Sequence, residues 1–93
     1  MELRFLTSAR NDLAALRDHY RQTLPPGSRI GQMHLTEALT LLRRNPEAGM
    51  PLPSPRGVRA LSMPFVPFVL IYRMTGRSME FLRVCRVDHS DRP

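Results

Sequence analysis

The stretch that most constrains the fold is residues 68–87, in which two apolar runs flank a turn. The runs "FVLIYR" (68–73) and "SMEFLRVCRV" (78–87) are rich in β-branched and aromatic residues. The four residues between them, "MTGR", include Gly76, which can adopt a positive φ at little cost. This pattern predicts a β-hairpin.

Arginines lie inside both runs of this hairpin, at Arg73, Arg83 and Arg86. Side chains alternate between the two faces of a strand, so strict alternation places Arg83 on the face of Met79 and Phe81, and Arg86 on the opposite face. Any face left uncovered by helices then carries at least one arginine among apolar neighbours. Two interpretations follow: a carboxylate- or phosphate-binding surface, or arginines that lay their stems along the sheet and keep their charged ends in water.

The rest of the chain predicts two helices and two further strands. The segments are a strand at 2–6, a helix at 9–24 with Ser8 as N-cap, a helix at 29–45 with Ser28 as N-cap, a Pro/Gly-rich loop at 46–57 and a strand at 58–63. The order β-α-α-β-β-β predicts a two-layer α+β domain. A helical hairpin packs on one face of a mainly antiparallel sheet, and the other face is open.

Each predicted helix has an apolar stripe. The stripe of the first includes Leu13, Leu16 and Tyr20, and Asp12 is predicted in its first turn, where a carboxylate favours the helix dipole. The second helix is predicted to present one broad apolar face formed by Ile30, Met33, Ala38, Leu41 and Leu42. Leu35 and Leu39 widen this face towards a second side, so we expect the helix to be buried on two flanks.

Length and charge limit the classes of function. The 93 residues fit a single domain, 1–93, with a polar tail at about 88–93. The net charge is +6 and all 14 basic residues are arginine, which indicates an acidic partner, although an arginine bias of the genome also explains the missing lysines. The single cysteine, Cys85, and the lack of an apolar leader favour a cytoplasmic protein. The longest apolar run, Met63–Tyr72, is too short to span a membrane.

Motifs for cofactors or metals are not evident in the sequence. His19 and His34 lack acidic, Cys or His neighbours at metal-ligand spacing, and no Gly-rich phosphate loop occurs. The helical hairpin could suggest a DNA-binding helix-turn-helix, but its basic residues do not concentrate on one recognition helix. We therefore expect no cofactor, no metal and no direct DNA recognition by this chain.

The segment "PRGVRALSMPFVPFVLIYRMTGRSMEFLRV" (55–84) resembles the C-terminal half of the RelE/ParE toxins of bacterial toxin–antitoxin systems. The matching features are Gly57 and Arg59 at a strand start, "LIYR" (70–73), and "FLRV" (81–84) after a short turn. "SARNDLAALRDHY" is similar to the first helix of the family, and "LLRRNPEAGMPLP" to the end of its second helix and the following loop. The resemblance implies the same β-α-α-β-β-β fold.

The resemblance includes two branches with different activities. RelE-like toxins are ribosome-dependent mRNA endoribonucleases that use Lys, Arg, His and Tyr, whereas ParE-like toxins inhibit DNA gyrase and look non-nucleolytic. A RelE-like reading assigns catalysis to Arg59, Tyr72, Arg73, Arg83, Arg86 and His89. The chain has no lysine, has Arg86 where many relatives have His, and lacks a C-terminal aromatic residue. These departures favour the ParE-like branch, with no catalytic residues; a RelE-like ribonuclease and an inert or otherwise-targeted member are the alternatives.

The resemblance also implies partners. A cognate, ParD-like antitoxin would bind through a C-terminal segment that folds on binding, forming a hetero-oligomer, and operator DNA would be contacted only through the antitoxin. DNA gyrase would be the target. The residues expected to bind antitoxin or target are Leu13, Leu16, Tyr20, Arg59, Tyr72, Arg73, Phe81, Arg83 and Arg86.

Overall fold

The computed structural model describes residues 1–64 and 66–87 and confirms the predicted α+β architecture. Its elements are β1 (Glu2–Phe5), α1 (Thr7–Thr23), α2 (Ile30–Arg44), β2 (Met50–Pro51), β3 (Val58–Ser62), β4 (Phe68–Thr75) and β5 (Ser78–Arg86). They form a five-stranded sheet in the order β1-β5-β4-β3-β2, with both helices on one face. The two-residue strand β2 lies inside the segment predicted as a loop.

The first and last strands are neighbours, and they are the parallel pair in an otherwise antiparallel sheet. Their register runs from Glu2 opposite Ser78 to Phe5 opposite Phe81. The rings of Phe5 and Phe81 stack with centroids 4.5 Å apart, so the aromatic pair fixes this register from the core side. The predicted hairpin is confirmed, with Gly76 at φ +58° in its turn.

The core lies between the sheet and the helices. On the sheet side it consists mainly of large side chains, including Phe68, Leu70, Tyr72, Met79 and Phe81, none more than 1% exposed. The helices contribute mostly smaller buried residues, namely Ala9, Leu16, Gly31, Ala38 and Leu42. Small residues on the helices let them approach large residues on the strands.

The N-termini of both helices differ in detail from the prediction. Helix α1 begins at Thr7 with Leu6 as N-cap and no side-chain cap, so the assignment of Ser8 as N-cap is wrong. In α2 the N-cap is Arg29, but the Oγ of Ser28 accepts a hydrogen bond from the N–H of Ile30 at 3.3 Å. Ser28 therefore accepts a hydrogen bond from one free N–H of the first turn, as a cap would, but it lies one residue before the N-cap and not at it as predicted.

Helix α2 has two apolar sides, but the prediction that it is buried on two flanks is wrong. Leu35 and Leu39 pack against the core, whereas part of the predicted broad face is exposed. Ala38 and Leu42 are buried against the sheet, whereas Ile30, Met33 and Leu41 are 46%, 55% and 46% exposed. Each residue turns the helix by roughly 100°, so positions 30, 33 and 41 fall on a different side from 38 and 42. The sheet covers one side, and the other faces solvent.

A β-bulge in β5 reverses the predicted orientation of its arginines. The register shifts so that Tyr72 pairs with Phe81 but Ile71 pairs with Arg83, leaving Leu82 as the extra residue. Paired residues point to the same side of a sheet, so Arg83 lies on the face of Ile71 and not on the face of Met79 and Phe81. This corrects the expectation from strict alternation.

Beyond the bulge, the residues of β5 that point to the helices are therefore Val84, opposite Leu70, and Arg86, opposite Phe68.

Candidate protein-binding interface

Tyr72 is a structural residue of the core. Its side chain is 0% exposed, and its hydroxyl donates a hydrogen bond to the carbonyl of Pro46 at 2.7 Å and accepts one from the N–H of Gly49 at 2.9 Å. A Cβ at position 49 would lie 2.6 Å from this hydroxyl, so only glycine fits there. The phenol is thus enclosed by the loop after α2, and solvent cannot reach it.

Arg59 holds the same loop from the neighbouring strand. Its Nη1 donates to the carbonyl of Glu47 at 3.2 Å and to the carbonyl of Gly49 at 2.9 Å. Arg59 and Tyr72 are paired in the sheet, so these two side chains together fix residues 46–49 onto its edge. The resemblance implied that Arg59 and Tyr72 could act in the catalytic site of a ribonuclease. In the structure, both side chains are hydrogen-bonded to this loop.

Arg73 lies on the face of the sheet opposite the helices. Its Nε donates to Oε1 of Glu80 at 2.9 Å, and the two residues are direct partners across β4 and β5. Val69 and Ile71 share this face with Arg73 and are partly exposed. The open face predicted from the sequence is therefore present, with its arginine charge already balanced by a carboxylate.

Arg83 forms an ion pair with α1. Its Nε and Nη2 donate to the two carboxylate oxygens of Asp12 at 2.7 and 3.1 Å, and the N–H of Val84 donates to Oδ2 of Asp12 at 2.8 Å. Strand β1 ends at Phe5, opposite Phe81, so it provides no partner for the edge of β5 beyond that point. Asp12 takes the place of the missing strand for one hydrogen bond.

The charge of Asp12 is stabilised by this arrangement. The hydrogen bond from Arg83 lowers the pKa of the carboxyl below its ordinary value of 3.8, with a further lowering by the N–H of Val84, against an opposing effect of burial. Asp12 lies beyond the first turn of α1, which contains no acidic residue. The prediction that Asp12 lies in the first turn is therefore wrong, and its role is in tertiary structure rather than in the helix dipole.

The remaining predicted sheet residues differ in accessibility. The Cζ of Arg86 lies 6.0 Å from the ring centroid of Phe68, a cation–π distance. Phe81 is fully buried and belongs to the core. His89, the remaining candidate base of a ribonuclease, lies outside the described residues. The sheet arginines are thus each paired locally, and they do not converge on one free site.

The positive charge without a partner is concentrated elsewhere. Among residues 1–64 and 66–87, several exposed arginines contact no carboxylate, carbonyl or aromatic ring, and four of these lie on the helices or at the connection between them. These four are Arg17, Arg29, Arg43 and Arg44. An acidic partner therefore finds its strongest attraction on the helical layer, whereas the sequence pattern pointed to the open face of the sheet.

A groove of about 590 Å³ runs between α1 and α2 on this layer. Its apolar wall contains Leu13, Leu16, Tyr20, Leu24 and Leu35, and its polar lining includes Arg17 and Arg21. The structure thus brings together three of the predicted binding residues, Leu13, Leu16 and Tyr20. An apolar groove with cations beside it suits an amphipathic segment that carries carboxylates.

The shape of the groove depends on contacts between Tyr20 and α2. The ring of Tyr20 lies directly over Gly31, where a Cβ would collide with the ring carbons. The hydroxyl of Tyr20 is 3.1 Å from Nδ1 of His34, and partial burial raises the pKa of the phenol. Sequence reasoning missed Gly31, whose small size near the start of α2 is a signal for close helix packing.

Neither a metal site nor a membrane-spanning helix is present in the described part of the chain. Residues 1–64 and 66–87 contain no group of three His, Cys, Asp or Glu side chains that could hold a metal ion. No helix within them is both long and apolar enough to cross a bilayer.

Comparison with known proteins agrees with this fold over nearly the whole chain. The chain is similar to a solved structure described as the chromosomal ParDE toxin–antitoxin system from P. aeruginosa, with 29% identity, a TM-score of 0.73, and coverage of 95% of this chain and 97% of that one. It is also similar to a structure of the toxin–antitoxin complex RelBE2 from Mycobacterium tuberculosis, with 29% identity, a TM-score of 0.59, and coverage of 91% and 95%.

At the sequence level, no protein with a curated description matches the chain. The family model described as the ParE toxin of type II toxin–antitoxin system, parDE, matches residues 3–93. The chain belongs to the ParE toxin family of type II toxin–antitoxin systems.

Proposed function

We propose that this toxin acts in the ParE manner, by inhibiting DNA gyrase in the cytoplasm, and that a cognate antitoxin neutralises it. The observation that carries the proposal is the state of the residues that an RNA-cutting site would need. Tyr72 is buried, Arg59 holds backbone carbonyls, and Arg83 is bound to Asp12. Cleavage of RNA requires groups free to reach the 2′-OH and the scissile phosphate.

The composition supports the same conclusion. The chain contains no lysine, and position 86, where many RelE-like relatives have histidine, is an arginine. A guanidinium group donates hydrogen bonds and has no free lone pair to accept a proton at neutral pH, so arginine is not suited to act as a general base. Binding is therefore better supported than catalysis for this surface.

The alternative is a RelE-like ribosome-dependent mRNA endoribonuclease. The similarity to the RelBE2 toxin–antitoxin complex keeps this alternative in place, at the same 29% identity as the ParDE match but a lower TM-score. In this case His89 would have to supply the base, with Arg73 and Arg86 released from their present contacts.

Two assays on the purified toxin separate these functions. In a supercoiling assay with gyrase and relaxed plasmid, we expect loss of supercoiling and accumulation of cleaved DNA. In a reconstituted translation system, we expect intact mRNA and normal protein yield. Cleavage of mRNA on the ribosome, together with unaffected gyrase, would contradict the proposal.

The antitoxin part of the proposal concerns the groove between α1 and α2. The groove combines an apolar wall with Arg17 and Arg21, which lie one helical turn apart. We propose that the antitoxin folds an amphipathic helix into it, with carboxylates facing the two arginines. Operator DNA would then be bound by the antitoxin within a hetero-oligomer.

The antitoxin partner is tested by co-expression with the protein encoded beside the gene for this chain. We expect a stable complex that survives size-exclusion chromatography and abolishes gyrase inhibition. A toxin that elutes alone and keeps its activity in the presence of that protein would contradict this part of the proposal.

A further inference from the structure

A second apolar surface lies on α2, away from the groove. We call it the outer ridge and define it as Ile30, Met33, Glu37 and Leu41. Its three apolar members are 46%, 55% and 46% exposed. Their spacing of three and four residues places all four on one side of the helix. The outer ridge is therefore a continuous exposed strip.

The ridge has a definite charge order. Arg29 precedes it at the N-cap, Glu37 lies in its middle, and Arg44 ends the helix on the same side. None of these three charges has a partner among the residues that the structure describes. The order positive–negative–positive beside uncovered apolar side chains is a recognition pattern with one complement, namely negative–positive–negative.

This charge order disfavours a second copy of the chain as the occupant. If two ridges met antiparallel, Glu37 would face Glu37 of the second copy and Arg29 would approach Arg44. If they met parallel, each charge would face its own equivalent. Like charges in juxtaposition cost binding free energy, and three apolar residues a side are far fewer than the roughly 20–30 residues a side of a standard interface.

The ridge and the groove require separate segments of a partner. On α2 the groove is lined by Gly31, Gln32 and Leu35, all more than a quarter of a turn around the helix from Ile30 and Glu37. A straight helix seated in the groove leaves the ridge uncovered. A partner that occupied both would hold α2 from two sides.

Helix α2 would gain most from this arrangement. Its buried residues are Gly31, Ala38 and Leu42, of which only Leu42 has a large side chain. Leu35 and Leu39 also pack against the core but stay partly exposed, so Leu42 is the one large side chain that α2 buries fully among the described residues. A ligand that binds the folded state stabilises it by an amount that increases with its affinity. A segment bound on the ridge would therefore stabilise the attachment of α2 to the rest of the domain.

We propose that the outer ridge is a second docking site for the antitoxin, an inference that rests on the proposed function. Its occupant is an amphipathic helical segment, distinct from the segment in the groove. The segment carries apolar residues for Ile30, Met33 and Leu41, a carboxylate near each end for Arg29 and Arg44, and one basic residue for Glu37. The net acidic character of this complement matches that required by the groove.

The test measures the affinity of ridge variants of the full-length toxin for the protein encoded beside its gene, by isothermal titration calorimetry. The ridge variant is Met33→Gln with Leu41→Gln, and its matched control is Met50→Gln with Met74→Gln, which alters two exposed methionines of the sheet. We expect the ridge variant to raise Kd by about tenfold or more and the control to stay within about twofold. Circular dichroism and urea unfolding check that both variants fold.

A separate variant tests the order of charges along the ridge. Glu37→Arg should raise Kd, whereas Glu47→Arg, which makes the same change in an exposed loop, should not. Ridge variants that bind the antitoxin as tightly as the unaltered toxin would overturn this inference and leave the proposed function intact. Ridge variants that keep antitoxin affinity but lose gyrase inhibition would overturn it in favour of a target interface. Failure of the unaltered toxin to bind would overturn the antitoxin proposal as well.

Discussion

Asp12 and Arg83 are separated by 71 residues in the chain and form a two-point ion pair, with N···O distances of 2.7 and 3.1 Å. The same carboxylate accepts the N–H of Val84 at the position where β1 no longer accompanies β5. One side chain of α1 thus joins the helix to the sheet and satisfies a backbone donor at the sheet edge. Asp12 was predicted to favour the helix dipole and Arg83 to bind a partner, but in the structure the two residues bind each other.

Removal of the Asp12 carboxylate should destabilise the fold. In Asp12→Ala the N–H of Val84 loses its acceptor, and we expect the free energy of unfolding to fall by about 1 kcal/mol or more. Urea denaturation measures the change. Asp18→Ala is the matched control, because its exposed ion pair with Arg21 at 3.5 Å should contribute less than about 0.5 kcal/mol. Equal effects of the two variants would contradict the assigned role of Asp12.

The Asp12 contribution should depend on pH in acid. Its pKa is lowered in the folded state, so the unfolded chain binds the proton first as pH falls. The contribution is therefore complete above the ordinary value of 3.8 and is lost as pH falls through the lower folded pKa. Urea unfolding of the unaltered protein and Asp12→Asn between about pH 6 and about pH 2 should show their difference in stability shrinking toward acid. A difference that is independent of pH would contradict the shift.

Tyr72→Phe should destabilise the loop that follows α2. The substitution removes the acceptor of the Gly49 N–H and the donor to the Pro46 carbonyl, both in a buried setting, and we expect a loss of about 1–2 kcal/mol. Hydrogen exchange of the Gly49 amide should accelerate. Tyr20→Phe is the comparison, since its hydroxyl is only partly buried and should cost less. Inhibition of gyrase that survives Tyr72→Phe would agree with a structural role for this phenol, and an unchanged stability would contradict that role.

Gly31→Ala tests the contact between the helices. Alanine has the higher helix propensity by about 1 kcal/mol, so an unconstrained site would be stabilised. Here the new methyl group would collide with the Tyr20 ring, and we expect net destabilisation by about 1–2 kcal/mol together with weaker antitoxin binding. Thermal unfolding measures the first effect and calorimetric titration the second. Stabilisation by this variant would show that Tyr20 moves away freely.

The arginines beside the groove should determine its affinity for an acidic segment. Arg17→Glu with Arg21→Glu reverses the charge beside the apolar wall, so antitoxin binding should weaken and lose most of its dependence on salt. Arg56→Glu with Arg77→Glu makes the same change on exposed arginines of the sheet layer and serves as the control. Calorimetric titrations at low and high salt compare the two variants. An equal loss of affinity in both would indicate that only the net charge matters.

The order of helices and strands followed from local patterns. The apolar periods of α1 and α2, the Gly76 turn and the two runs around it are short-range features, and the structure confirms them. The strand β2 was missed because its two residues, Met50 and Pro51, have no periodicity to detect and pair only because β3 lies beside them. These patterns also predicted the two-layer arrangement and the open face of the sheet, and the family resemblance implied the same β-α-α-β-β-β fold.

The roles of the arginines could not be obtained in that way. The bulge at Leu82 reverses the faces of Arg83 and Arg86, and no composition signal at Leu82 indicates it. Arg83 is bound by a carboxylate 71 residues away, while Arg17 and Arg29 are left without partners on the helices. The sequence by itself determined that the chain is basic, two-layered and open on one face. Only the tertiary structure decided which charges remain available, because an ion pair depends on distances between atoms that the chain brings together only when it folds.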